Sequence, residues 1–109
     1  MFQQDPIAKE QVFFKRLPSS PDIVLIGHLV RSIKGRDRGK YYLVIGRDGL
    51  SRIQVADGEV RKVENPKYKN IKHLIVYDAM ADELSAKAES GKRITNVDVR
   101  QGLKSLIPA

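Results

Sequence analysis

Between Ile23 and Tyr77 the turn signals come too close together to leave room for a helix. Asp48-Gly49 and Asp57-Gly58 are hairpin-type dipeptides, and Pro66 breaks the pattern again. The stretches between them favour extended chain, being rich in β-branched and aromatic residues. After the apolar run IVLIG, HLVRSIKG places Leu29, Val30 and Ile33 among polar residues, and KYYLVIG is apolar and aromatic. SRIQVA alternates, with Ile53 and Val55 on one face and Arg52 and Gln54 on the other. EVRKVE carries Val60 and Val63, and IKHLIVY closes the series. Parallel pairing would need a crossover helix, which these spacings exclude. The expectation is a mainly β fold, a small closed barrel of five short strands.

The flanks differ. Residues 1–22 end in LPSSPD, a poor core and a good linker. Their segment QVFFKRL reads as a mobile arm. Residues 78–109 read as a helical extension. MADELSAKAE is rich in helix formers and Gly91 is a natural stop. NVDVRQGLKSL follows Thr95, which has capping-box spacing to Asp98. Val99, Leu103 and Leu106 form one apolar stripe that must pack on the barrel or on a partner. Gly102 weakens that helix by roughly 1 kcal/mol relative to Ala. The expected organisation is therefore an arm at 1–22, a barrel at 23–77 and one or two helices at 78–109.

Charge is segregated. The 109-residue chain carries +7, and residues 27–77 hold twelve basic and five acidic side chains, while the two flanks are each balanced. A folded segment charged in this way suits a polyanion. Cysteine is absent, which removes disulfides, thiolate metal sites and Cys nucleophiles together. No stretch approaches the ~18 apolar residues of a membrane span, and MFQQDPIAKEQ lacks the pattern of a secretory signal. A soluble, cytoplasmic protein is expected, with no membrane partner.

The segment GRDRGK resembles a nucleotide-binding loop at first sight, but its spacing fails. Gly35 and Gly39 enclose three residues rather than four, Tyr41 stands where a Ser or Thr would hold magnesium, and a strand follows instead of a helix. His28 and His73 have no companions for a metal site, and no nucleophile, base and oxyanion donor come together. No catalytic residue, metal, cofactor or small-molecule substrate is expected. What remains is a basic ribbon. Arg31, Lys34, Arg36, Arg38 and Lys40 flank the first turn, and Arg61, Lys62, Lys67, Lys69 and Lys72 surround the last two strands. Alternation turns Arg61 outward from Val60, and PKYKN reads as a loop in which Tyr68 can stack on an unpaired base.

GHLVRSIKGRDRGKYYLVIGRDGLSRI resembles a KOW motif, a 27-residue pattern of strand, basic loop with a fixed glycine, and strand, with Gly39 at the glycine position. Together with VADGEVRKVENP and YKNIKHL, it is similar to the KOW-type large-subunit ribosomal proteins of the fourteen-e type and their bacterial relatives. The resemblance covers roughly residues 26–77. It implies an SH3-like barrel and RNA binding, with Lys34 to Lys40 facing RNA. At Gly39 a positive φ or a close backbone approach is expected, and Gly35 helps to form the same turn. The lead before the barrel and the helical C-terminus depart from that pattern, so an accessory factor of the ribosome is expected rather than a constitutive subunit. The partner is RNA, above all ribosomal RNA. The alternative is a protein-interaction module of the transcription or translation machinery, of the NusG kind, docking through the C-terminal helix.

Overall fold

The computed structural model describes residues 14–107. Six strands come first in the chain: β1 (Arg16–Leu17), β2 (His28–Ser32), β3 (Tyr41–Asp48), β4 (Arg52–Ala56), β5 (Lys67–Asn70) and, after a 3-10 turn at Ile71–His73, β6 (Leu74–Met80). Two helices follow, α1 (Asp82–Glu89) and α2 (Asn96–Leu106). The strands form one antiparallel sheet in the order β1-β6-β2-β3-β4-β5.

Successive residues of the inner strands enter opposite cores. Leu29, Leu43, Ala56, Tyr77 and Ala79 join one cluster, while Val30, Tyr42, Val44, Ile53, Val55, Leu74 and Val76 join the other. A strand buried on both faces needs no polar alternation, which is why KYYLVIG reads as a continuous apolar run. The helices cover the first cluster: Leu84 and Val99 are fully buried in it, and Leu103 and Leu106 pack against it. The stripe on α2 therefore docks on the protein's own sheet. Val24 and Ile71 complete the second cluster, with Leu17 packed against it.

The five-stranded closed barrel is corrected. Among the described residues there are six strands and no pairing joins the two edges, β1 and β5, so the sheet is barrel-like but open. The sixth strand comes from QVFFKRL, expected as a mobile arm: Arg16 pairs with Tyr77 and Leu17 with Val76. The part of that segment before Phe14 lies outside the described residues. EVRKVE is not a strand but a series of bends and turns. Its backbone groups bond elsewhere, with Val63 N donating to Asn96 Oδ1 at 2.8 Å and Arg61 O accepting from Asp57 N at 2.9 Å. The strand that follows β4 is instead β5, KYKN, read from the sequence as a loop, which pairs along β4. IVLIG is not a strand either; the Arg47 guanidinium holds that segment through the carbonyls of Pro21 and Val24.

The capping box of α2 forms as its spacing predicts, with Asp98 N donating to Thr95 Oγ1 at 3.2 Å and Thr95 N to Asp98 Oδ2 at 2.9 Å. Gly102 has a different role from the one its propensity suggests. A Cβ there would lie 2.8 Å from Leu43 Cδ1 and 3.0 Å from the Ala81 Cβ, so the glycine lets α2 approach β3 closely.

Candidate nucleic-acid interface

The basic loop, residues 33–40, joins β2 to β3. Its backbone is closed by Gly39 N donating to Ser32 O at 2.7 Å and Lys40 N to Asp37 O at 2.9 Å. Gly39 adopts φ +90°, a conformation that side chains with a Cβ rarely take, so the positive φ expected there is present.

One acid organises these cations. Asp37 Oδ1 accepts from Ser32 Oγ at 2.8 Å and from Lys69 Nζ at 3.1 Å, and Oδ2 accepts from the Tyr42 hydroxyl at 2.8 Å. Lys67 Nζ stands 3.5 Å from the same carboxylate. Burial by itself would raise the Asp37 pKa, but the hydrogen bonds from Tyr42, Ser32 and Lys69 and the Lys69 charge hold it well below the usual carboxylate range. The same environment acts on Tyr42, whose hydroxyl is pushed above its ordinary range by burial and by its bond to Asp37. Lys69 also donates to Lys34 O at 2.9 Å, which ties β5 to the loop.

The positions expected to meet RNA thus divide. Lys34, Arg36 and Arg38 are exposed on the loop, and Lys62 and Lys72 are exposed elsewhere, in the turns after β4 and β5. Lys40 bridges to Asp57 at 2.8 Å and lies 5.6 Å from the Tyr42 ring centre. Asp57 is held below its ordinary pKa although burial opposes this, because it accepts from Lys40 and from the backbone N–H groups of Glu59 and Arg61. The Arg31 guanidinium lies over the Tyr41 ring, 5.6 Å from its centre. Lys69 is 7% exposed and occupied by Asp37, so it shapes the loop rather than facing solvent. Arg36, Lys40, Arg61 and Lys67 surround a shallow recess of about 260 Å³ with Tyr42 and Asp37 in its lining. Tyr68 stands apart from this group, on the opposite side of β5 from Lys69.

Sequence reasoning did not find Asp37, Ser32 and Tyr42. The available signal was that Asp37 is the one acid among the loop's cations, a poor choice for a surface meant only to attract phosphates. Among the described residues, no three His, Cys, Asp or Glu side chains group to hold a metal. His28 is buried at the start of β2, and its Nδ1 accepts from Leu25 N at 2.9 Å. No helix of the described residues is long and apolar enough to cross a membrane.

No protein-family model matches the chain. A protein of Bacillus subtilis (strain 168) named "Putative ribosome-binding protein YbzG" is 39% identical over 54 residues, which are 50% of this chain and 73% of that protein. The chain belongs to the family of that protein. The other half of the chain carries what that alignment leaves out, and the relative's name speaks of ribosome binding for the relative itself.

Proposed function

We propose that this chain is a ribosome-associated, RNA-binding protein that grips structured RNA, above all ribosomal RNA, through the loop between β2 and β3. The observation that carries the reading is a cationic turn held rigid from beneath: Asp37 is fixed by Ser32, Tyr42 and Lys69, and leaves Lys34, Arg36 and Arg38 pointing outward. A preordered loop loses little conformational freedom on binding, so more of the electrostatic attraction appears as affinity. The relative's ribosome-binding name supports the same partner, as does the KOW-like pattern of the loop. In this reading the protein is cytoplasmic, holds its RNA without cutting or transferring it, and needs no cofactor.

The rival reading, an interaction module docking through Val99, Leu103 and Leu106, would need that stripe to face outward, and it packs on the sheet instead. The test is RNA affinity measured between ~50 and ~200 mM salt, where three phosphate contacts weaken binding by roughly fortyfold and six or more by about a thousandfold. The joint variant Lys34→Ala, Arg36→Ala, Arg38→Ala should bind weakly and lose about 2–3 units of the log–log salt slope. A flat salt response, or unchanged binding by the triple variant, would overturn the proposal.

A further inference from the structure

The side of β4 and β5 that faces away from Asp37 carries a second surface. Gln54 pairs with Tyr68 and Arg52 with Asn70, while Ile53 and Lys69 between them are buried on the other side. Tyr68 is 44% exposed. The Arg52 guanidinium lies 5.2 Å from its ring centre, and Gln54 Nε2 donates to its hydroxyl at 3.3 Å. Gly46 of β3 stands opposite Gln54, and a Cβ there would come within 2.5 Å of Gln54 Oε1, so the missing side chain makes room for the carboxamide. Beyond Gln54 the surface drops into a recess of about 400 Å³ with apolar Ile45, Ala88 and Ile94 and the exposed cations Lys92 and Arg93. Glu64 also lines it, engaged by Asn96 Nδ2 at 2.9 Å.

An exposed tyrosine on an edge strand is by itself no more than a cover for the backbone. Here the ring, a planar amide, an apolar floor and flanking cations are continuous, which is the set of groups an unstacked base and its phosphates require. The Arg52–Asp48 ion pair is loose, 3.8 Å apart with both side chains about half exposed, so it does little to hold Arg52 in place.

We infer that this face binds one unpaired nucleobase of the RNA, stacked on Tyr68 and Arg52, with the Gln54 carboxamide meeting its edge and Lys92 and Arg93 the neighbouring phosphates. The inference rests on the RNA-binding reading and deepens it: the loop grips backbone, and the β4–β5 face selects RNA in which a base is free.

The experiment uses the full chain with two probes, a hairpin RNA with a uridine loop and the fully paired duplex of the same stem. Tyr68→Leu should weaken hairpin binding about tenfold, Tyr68→Phe should leave it nearly intact, and neither should change duplex binding. With 4-thiouridine in the loop, crosslinked peptides should contain Tyr68 or Gln54. If Tyr68→Leu binds the hairpin normally while Arg36→Ala with Arg38→Ala does not, the base site is wrong and the loop reading stands. If neither RNA binds in a salt-dependent way, both fall.

Discussion

Replacing Asp37 with Asn would make the basic loop more positive and, on electrostatics alone, a better RNA ligand. The opposite outcome is expected. Lys69 would be left buried with a charge and no counterion, and breaking a buried pair by removing one partner costs about 3 kcal/mol or more. Urea unfolding should show Asp37→Asn destabilised by that order, with RNA affinity lowered although net charge rises; a variant as stable as the parent would show that Asp37 is not the organising group. His28 gives a second prediction at this scale. Burial lowers its pKa from 6.5 despite the opposing pull of Asp78, so the folded state resists protonation that the unfolded chain accepts. Stability is therefore full above about pH 6.5 and declines as pH falls below it. His28→Gln should flatten the melting temperature across that range, while a dependence unchanged by the substitution would assign it to another group. The roles of these residues were only partly legible. Lys69 reads in sequence as one more cation, because its burial depends on an acid that precedes it by 32 positions in the chain.

Gly102 sets the helix-propensity scale against packing. Ala should stabilise an isolated α2 by roughly 1 kcal/mol, yet its Cβ would press on Leu43 and Ala81, which are both buried. Overpacking a filled core costs about 1–3 kcal/mol, so Gly102→Ala is expected to lower the melting temperature of the whole protein; a rise would mean that α2 shifts freely over β3. The same helix explains the element that sequence analysis misplaced. EVRKVE has the composition of a strand, but its backbone is held in turns by Asp57, which accepts from Glu59 N and Arg61 N, and by Asn96, 33 residues after Val63, a contact that no local pattern announces. Strands β2, β3 and β4 and both helices were legible because their signals are local: turns, alternation, and a capping box. KYKN was hidden by its lysines, which look unsuited to an inward-facing strand position until Asp37 is placed beneath them.

For the whole molecule, the helical extension is part of the core and not an appendage. A chain ending at Met80 would lose Leu84, Val99, Leu103 and Leu106 from one face of the sheet. Burying each such side chain contributes about 1.5–3 kcal/mol, against a total stability of roughly 5–15 kcal/mol for a small domain. That truncation should show no cooperative thermal transition, and a sharp one would establish the sheet as independent of its helices. The order of strands has a consequence of another kind. β6, the last strand made, lies between β1 and β2, so Arg16–Leu17 must wait for Leu74–Met80 before it has a neighbour to pair with. The meander from His28 to Asn70 already contains Ser32, Asp37, Tyr42 and Lys69. During synthesis, which proceeds from the N-terminus, a nascent chain would complete the basic loop while β2 still lacked its β6 neighbour.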